Sequence, residues 1–436
     1  MFIVADTLRR DHVGVYGGAP TNTPFIDSLA DRAVVFDRAF AQTPWTAPSV
    51  ASMFTSRYQS QHRIIGFGDR LSTEETTLAE LLAQNGYATG GFTANLFLQS
   101  SWGFGKGFQT FTCLGSIVEN QSPKGSGSSV NQTALEWLDA LGNDKPPVFL
   151  YLHYMEPHIP YEPPEELLSR ALGGRPRPDV AAINDALLHR YENLTVDELE
   201  QAKLLYRVVV ADLDRQIQHL FAELEKRGIL RDSVFVFTAD HGEEMAEHGW
   251  WGHGMSLYND VIRVPLLIGS PHQTTREDVA ENVALVDIAP TILELAGVAP
   301  SSTFEGRSLT HVRRQRPGSG TGWFEKVRFW FGAHPVPVAS ENLPSAGISR
   351  PSTHARTIML GMRKLIRGVE GHSEYYDLQR DPGEQSPIES FDGIPSSLQH
   401  ALVKFVHFVG LQSPSDPRSD IDEKTKARMR ALGYVQ

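Results

Sequence analysis

Short apolar runs alternate with helical patterns along most of this chain, and this alternation restricts its fold more than any other feature. Strands that are separated by helices form mostly parallel sheets with helices on both faces, because a parallel connection is long enough to hold a helix. We therefore predict an α/β fold with a mostly parallel central sheet. The runs that read as strands are residues 2–5, 87–93, 148–152, 234–238 and 264–268.

Helix signals lie between these runs. Thr195 and Glu198 form a capping-box pattern, which predicts the start of a long helix. Pro24 suits a first helical position, and Thr23 before it is a candidate N-cap. The predicted helices are residues 24–36, 76–85, 131–141, 195–227 and 288–296.

Composition divides the rest of the chain. Two Gly/Ser/Pro-rich stretches, 115–129 and 168–184, predict long loops, and 313–351 reads as irregular for the same reason. The segment 357–367, followed by 374–378, predicts a small antiparallel addition. The resulting division is a main domain over 1–310, an irregular connection over 311–355 and a small C-terminal subdomain packed on the main domain over 356–436.

The charge of the chain makes some partners improbable. Its formal net charge is -12, which repels nucleic acid and anionic membranes. Cys113 is its one cysteine, so no intrachain disulfide can form. We find no run of the roughly 18 apolar residues that a membrane span needs, and the chain opens on a strand-like run instead of a signal peptide. We expect a soluble protein, cytoplasmic unless the sequence is truncated at its N-terminus.

Polar residues directly follow several apolar runs. In parallel sheets the ligand binds beyond the carboxyl ends of the strands, and Asp6, His153, Asp240 and His241 are predicted to lie there. Two carboxylates and an imidazole can bind a divalent cation. The alternative for Asp240 and His241 is a strand-end turn, in which the carboxylate caps a helix and the imidazole faces solvent.

Residues 44–57 contain a second signal, Thr46-Ala47-Pro48-Ser49. Pro48 suits the first turn of a helix, with Thr46 or Ala47 as the cap. A helix N-terminus offers unpaired N–H groups and partial positive charge, and a hydroxyl there that also faces a metal ionises more readily. Thr46 is therefore either a nucleophile or a plain N-cap.

Two histidine-containing segments, 153–161 and 247–254, complete the set. Proline stands within two residues on each side of His158 and stiffens its loop, while Gly252 and Gly254 flank His253. Imidazoles at such positions can bind an anionic ester group or protonate a leaving group. A histidine taken alone is more often a hydrogen-bonded surface or core residue than a catalyst.

The order and neighbours of these elements resemble the sulfatase branch of the alkaline-phosphatase superfamily from Asp6 to about Arg307. The resemblance implies an alkaline-phosphatase-like α/β sandwich with a small C-terminal antiparallel segment. It returns near the C-terminus in Lys364-Leu365, Tyr376-Asp377-Leu378, Asp381-Pro382 and Glu384.

The resemblance implies one divalent metal ion, Mn²⁺, Ca²⁺, Mg²⁺ or Zn²⁺, held by Asp6, Thr46, Asp240 and His241. The His241 position is Asn in many sulfatases and His in relatives that act on phosphorus esters. Family members with two metals carry an Asp with a His four residues on. Asp212 is not followed by such a His, so a single ion is expected.

The resemblance also implies catalytic roles. Thr46 falls on the nucleophile position, His158 and His253 match residues that contact the transferring group and the leaving oxygen, and Arg57 matches the Arg after the family's Thr-Gly pair. Three residues depart from the family pattern: Thr7 where many sulfatases have a second Asp, Val50 where the motif ends in Arg, and Thr46 itself, where a Cys or Ser is converted to formylglycine.

Threonine cannot form that aldehyde, so the usual sulfatase mechanism does not apply to Thr46. Thr nucleophiles occur in relatives that cleave or transfer phosphodiesters, such as lipoteichoic-acid synthase-like and phosphoethanolamine-transferase-like proteins. The expected function is therefore hydrolysis or transfer of a phosphate or sulfate ester of a small molecule, glycan or lipid, with phosphorus esters favoured. The alternatives are a true sulfuric ester hydrolase and a binding protein that has lost catalysis.

Overall fold

The protein is built around one large mixed sheet. The computed structural model describes residues 1–19, 22–115, 124–142, 145–312, 337–343, 354–368, 371–388 and 393–410. Its strands are β1 (Phe2–Ala5), β2 (Val34–Phe40), β3 (Ala88–Thr93), β4 (Thr110–Cys113), β5 (Val148–Tyr154), β6 (Phe235–Ala239), β7 (Glu244–Met245), β8 (Trp251–Gly252), β9 (Arg263–Val264), β10 (Leu266–Gly269), β11 (Glu277–Ala284), β12 (Val338–Asn342), β13 (Ala355–Leu360), β14 (Arg363–Gly368) and β15 (Ser373–Asp377).

The main sheet has the strand order β11-β2-β10-β6-β1-β5-β3-β4, and the short strand β9 pairs with the end of β2. Strand β1 lies between β5 and β6 and is parallel to both, while β10 runs antiparallel to its neighbours. Every residue of β1 is buried, as expected for a strand covered on both faces. The sequence prediction of a mostly parallel α/β sheet is confirmed.

The helices form two groups around this sheet. One group packs around the long helix α8, and the other packs around α2. Helix α8 begins after Thr195, whose capping box with Glu198 is formed as predicted. The helices are α1 (Pro24–Leu29), α2 (Thr46–Thr55), α3 (Gln59–His62), α4 (Leu78–Gln84), α5 (Gly127–Ala140), α6 (Glu165–Leu172), α7 (Val180–His189), α8 (Val196–Lys226), α9 (Asn259–Ile262), α10 (Ile288–Leu295) and α11 (Ser396–Val409).

A separate antiparallel sheet follows the main sheet in sequence. Its order is β12-β13-β14-β15, and α11 packs on β13 and β14 through Leu398, Leu402 and Phe405. The other side of this sheet shares a cluster of apolar side chains with the main body, including Phe40 and Val261. The predicted small antiparallel addition is therefore present.

Four sequence predictions of local structure were wrong. The helix expected over 24–36 ends at Leu29, because the β-branched and aromatic run from Val34 begins β2. Helices α6 and α7 occupy most of 168–184, which was predicted as a loop, and β12 lies within the stretch predicted as irregular. Thr46 is the first residue of α2 and Trp45 its N-cap, so Thr46 is not the cap.

Several predictions fall partly outside the described residues. Much of the predicted loop 115–129, most of the connection 313–351 and the end of the C-terminal subdomain, 411–436, belong to this part of the chain. The division into three domains therefore stays a prediction. Among the described residues, none of the helices is both long and apolar enough to cross a membrane.

Candidate active site

Four adjacent strands, β6, β1, β5 and β3, bring polar side chains to one edge of the main sheet. Asp240 and Asp6 directly follow β6 and β1, His153 lies near the end of β5, and Asn95 follows β3 by two residues. All four are fully buried. Asp6, His153 and Asp240, which the sequence predicted at the carboxyl ends of strands, therefore lie together in space.

Helix α2 begins at the same edge. Thr46 is its first residue, and all ten residues of the helix are buried, which the small side chains of Ala47, Ser49 and Ala51 make possible. The Ser49 hydroxyl donates to the carbonyl of Asp240 at 2.7 Å and ties the first turn to the end of β6. The helix N-terminus thus points its unpaired N–H groups at the strand ends.

The Thr46 hydroxyl lies among three side chains from three strands. Its Oγ is 3.4 Å from Asp6 Oδ2, 3.3 Å from His241 Nε2 and 3.4 Å from Asn95 Nδ2. Asn95 also donates to Asp6 Oδ2 at 2.6 Å. The structure thus places Thr46, Asp6 and His241 together at positions that suit the predicted roles.

The donor set fits a divalent cation. Ligand atoms of Asp6, His153 and Asp240 all lie within 4.8 Å of one another, close enough for a shared ion. Asp6 Oδ1 and Asp240 Oδ2 are buried and have no hydrogen-bond partner among the described residues. Buried carboxylate oxygens are costly without partners, and a bound cation would satisfy both.

The two imidazoles beside this pair are oriented differently. His241 Nδ1 lies 2.9 Å from the Gly242 carbonyl, which can only accept, so Nδ1 donates and the Nε2 lone pair faces Asp6 and Asp240 at 3.7 and 3.6 Å. His153 Nε2 lies 3.1 Å from Asp6 Oδ2 and donates to it, while its Nδ1 lies 2.8 Å from the Tyr151 hydroxyl. His241 is therefore the better ligand, and His153 orients Asp6.

Electrostatics separate the two carboxylates. Burial alone would raise the pKa of Asp6, but the hydrogen bond from His153 and the nearby imidazoles hold that pKa well below its usual range. Burial, together with the charge of Asp6, raises the pKa of Asp240 well above its usual range. Two buried carboxylates repel each other, and a bound cation would remove this conflict.

Histidines 158 and 253 lie beside each other at this cluster. Their ring centroids are 5.0 Å apart, and the His253 ring is 4.6 Å from that of His241. His253 Nδ1 donates to Glu243 at 2.8 Å. Burial lowers the pKa of His253, but Glu243 and the charge of Asp6 together raise that pKa above its ordinary value. His158 is buried, and its Nδ1 donates to the carbonyl of Ile159, while burial lowers its pKa to about 3.

Comparison with known proteins places this geometry in a family. The family model described as Sulfatase matches residues 1–298, more than half of the 436 residues. The chain belongs to the sulfatase family. A second model, described as the C-terminal part of N-sulphoglucosamine sulphohydrolase, matches residues 246–405 and so includes the antiparallel sheet.

Named relatives of this sulfatase-family chain act on different esters. An arylsulfatase of Clostridium perfringens is 24% identical over 446 residues, covering 88% of each chain. A protein solved with its substrate D-glucosamine-2-N,6-O-disulfate has a TM-score of 0.72 at 20% identity, covering 94% of this chain and 97% of the other. A phosphonate monoester hydrolase of Agrobacterium radiobacter has a TM-score of 0.71 at 20% identity, covering 94% of each. The two structures show the shared fold.

Arg57 is the predicted site residue that the structure does not bring to this cluster. It follows the C-terminal end of α2, and a ten-residue helix of this kind is about 15 Å long. Its guanidinium pairs with Glu75 at 2.7 Å. The catalytic role of Arg57 therefore stays a prediction that these contacts do not support.

Sequence reasoning missed three residues of this sulfatase-family site. Asn95 follows a predicted strand, so the strand-end rule could have found it. Glu243 lies two residues after His241, but only the fold shows that it meets His253. Lys124 gave no sequence signal, although it is buried beside the loop that carries His158.

Proposed function

We propose that this sulfatase-family chain is a divalent-metal-dependent hydrolase of phosphate or sulfate esters with Thr46 as its nucleophile, and that it favours phosphorus esters. One observation supports this most strongly. The Thr46 hydroxyl stands at the first turn of α2, 3.3–3.4 Å from Asp6, His241 and Asn95. A hydroxyl held beside a base and a metal site can act as a nucleophile.

The residues around Thr46 have different roles in the proposed reaction. Asp6, Asp240 and His241 would hold the ion, and Thr46 would face it. A bound divalent cation would lower the pKa of the hydroxyl and neutralise charge on the ester oxygens. Asn95 Nδ2 holds the Thr46 side chain in place, and the N–H groups at the start of α2 face the charge that develops on the transferring group.

The proposed reaction has two displacements. The Thr46 hydroxyl gives up its proton to solvent and Oγ attacks the phosphorus or sulfur atom. The bond to the alcohol oxygen breaks, and the alcohol leaves with a proton from His253, which the water of the second step replaces. The Glu243 carboxylate accepts from His253 Nδ1, so Nε2 is the nitrogen that serves the leaving oxygen. Water, or an acceptor alcohol, then displaces Thr46 and restores the hydroxyl.

The chemistry of threonine favours phosphorus esters. Formylglycine releases sulfate by collapse of a hydrated aldehyde, and Thr46 has no such route. A covalent phosphothreonine can instead be resolved by a second in-line displacement, in which nearby donors stabilise the equatorial oxygens. The structural similarity to a phosphonate monoester hydrolase is compatible with this preference.

A sulfuric ester hydrolase is the second candidate. The curated relative from Clostridium perfringens is named arylsulfatase, and a structural neighbour carries a sulfated glucosamine as its substrate. In this alternative the same Thr46 would form a sulfate ester. The substrate would be a small molecule or a glycan.

Variants of Thr46 test the role of the nucleophile. Thr46→Ala deletes a hydroxyl and a methyl group at a buried position, so we expect kcat/KM to fall by about 10³-fold or more with the fold intact. Thr46→Ser keeps the hydroxyl and should retain measurable turnover. Retention of most wild-type activity by Thr46→Ala, with a native circular dichroism spectrum, would exclude the role.

Paired substrates test the ester class. We expect a higher kcat/KM for an aryl phosphodiester than for the aryl sulfate with the same leaving group, both measured with Mn²⁺ present. A clear preference for the sulfate that Thr46→Ala abolishes would reverse our ordering and establish the second candidate.

A further inference from the structure

The segment that leads into α5 contacts the loop that carries His158. Residues 155–158, which we call the His158 loop, directly follow β5. The backbone N–H of His158 donates to the Met155 carbonyl at 3.1 Å, which closes a turn. Two contacts from residues 124–127 reach this loop, and each involves a group that is costly to bury.

The first contact is a buried ammonium group. Lys124 Nζ donates to the carbonyls of His158 at 2.8 Å, Met155 at 3.4 Å and Glu156 at 3.4 Å. These three acceptors match the three N–H donors of an ammonium group. Among the described residues, no carboxylate lies within 4.0 Å of Lys124 Nζ, so its direct partners there are the carbonyls of the loop.

The second contact is a carboxylate that caps α5. The Gly127 backbone N–H donates to Glu156 Oε1, at the first residue of the helix. A Cβ atom on Gly127 would lie 2.5 Å from that same oxygen, so a larger residue at this position would displace the Glu156 carboxylate. Lys124 and Gly127 therefore bind the His158 loop at two points.

We propose that Lys124 is a positioning residue of the active site, which fixes His158 against the ester by binding the carbonyls of the His158 loop. The inference rests on the proposed function, because the position of His158 matters to turnover only if an ester binds beside it. Lys124 does not touch the ester in this assignment and acts through His158. Its charge also lies in a chain of formal net charge -12, where an anionic substrate needs local positive potential.

A double-mutant cycle tests this assignment. We expect Lys124→Met, which keeps an unbranched side chain and removes the donors, to lower kcat by about 10- to 100-fold, because small displacements of a catalytic group have effects of this size. In a His158→Ala background the same change should cost less than about twofold. Lys226→Met removes an exposed lysine from the end of α8 and should leave kcat unchanged. Equal losses in both backgrounds would overturn the proposal.

Hydrogen exchange supplies a readout that needs no turnover. We expect Lys124→Met to raise amide exchange in peptides that cover residues 153–161 and to leave peptides from α8 unchanged. Unchanged exchange in 153–161 would overturn the proposal. If the wild type cleaves no phosphate or sulfate ester while exchange responds as expected, the proposed function fails and the contact of Lys124 with the loop stands.

A second variant covers the case in which Lys124→Met does not fold. Gly127→Ala displaces Glu156 without altering Lys124, so it disturbs the same loop from the other contact. We expect it to lower kcat in the wild type and to have less than about a twofold effect in the His158→Ala background. Additive losses in that cycle would also count against the assignment.

Discussion

A hydrogen bond determines which ring nitrogen each of the two imidazoles turns toward the Asp6–Asp240 pair. The Gly242 carbonyl directs the lone pair of His241 toward the carboxylates, while His153 turns an N–H toward Asp6. Both rings are buried, and both lie within 4 Å of the same carboxylates. In this arrangement His241 presents a lone pair toward a cation, whereas His153 presents an N–H.

This difference predicts unequal effects on metal binding. His241→Ala removes a direct ligand and should weaken Mn²⁺ binding by at least about 100-fold. His153→Ala removes a group that orients Asp6 and should weaken it by about 10-fold, at the lower end for such outer contacts. Isothermal titration calorimetry on the metal-stripped variants measures both. Equal losses would mean that His153 is itself a ligand.

The proposed proton donor predicts a dependence on the leaving group. His253→Ala should lower kcat by about 10²- to 10⁴-fold for an ester of a poor leaving group, because the departing oxygen then leaves without a proton. For a nitrophenyl ester, whose oxygen leaves readily as an anion, the loss should be much smaller. A uniform loss for both esters would assign His253 to binding instead of proton transfer.

Much of the site could be predicted from the sequence at this scale, because strand ends meet at one edge of a parallel sheet. That rule led to Asp6, Asp240 and His241, and it applies equally to Asn95. It cannot find Lys124, whose partners are backbone carbonyls that carry no sequence signal. It also does not apply to Arg57, which the family resemblance suggested and which follows the far end of α2.

Helix α1 illustrates the same limit at the scale of elements. The sequence predicted Thr23 as its cap, but that hydroxyl makes no capping bond, and the carboxylate of Asp214 in α8 accepts from the N–H groups of Phe25 and Ile26. The cap comes from a residue 188 positions away. Local patterns identify helices that are capped by adjacent residues, as in α8. They miss helices whose cap is supplied by a residue of another element.

The capping of α1 by Asp214 predicts that the free energy of unfolding depends on pH. Burial raises the pKa of Asp214 to about 6, above the value of about 3.9 for an unfolded Asp. The folded state therefore holds more protons between these values, and the contribution of Asp214 to the free energy of unfolding should fall as pH rises from about 4 to about 6. Urea unfolding of wild type and Asp214→Asn across this range measures it. A difference that grows in favour of the wild type with rising pH would contradict the prediction.

Helices α6 and α7 were missed for a different reason. Residues 173–179, between them, contain Gly173, Gly174, Pro176 and Pro178, and this turn composition dominated the reading of the whole stretch. The flanking helices are short, and each buries only a narrow face. Their apolar positions are too few for periodicity to outweigh the turn residues between them.

At the scale of the molecule, the antiparallel sheet is fastened to the segment around the proposed nucleophile. Glu341 in β12 is fully buried and accepts from the N–H and hydroxyl of Ser60 at 3.0 and 2.8 Å and from Arg356 at 2.8 Å. Its own N–H donates to the Gln42 carbonyl, four residues before Thr46. The second sheet therefore supports the active-site body directly.

Loss of this contact predicts a large change in stability. Glu341→Ala leaves Arg356 and Ser60 without their buried partner and should lower the free energy of unfolding by about 3 kcal/mol. Glu166→Ala is the matched control, since its ion pair with Arg170 is exposed and worth less than about 0.5 kcal/mol. Urea unfolding of both variants measures the two changes in the free energy of unfolding. A similar small effect for both would mean that the second sheet is only loosely attached.

The position of β1 in the sheet has a consequence for biosynthesis. Thr7, just after β1, donates to Asp240, just after β6, and 233 residues separate them. At roughly 5–20 residues per second, a ribosome needs roughly 10–50 s to make that interval. During this time one side of β1 has no partner, and an unpaired apolar strand invites association with other chains. The strand that is central in the finished protein is therefore an open edge in the nascent chain, where a ribosome-bound chaperone would have its greatest effect.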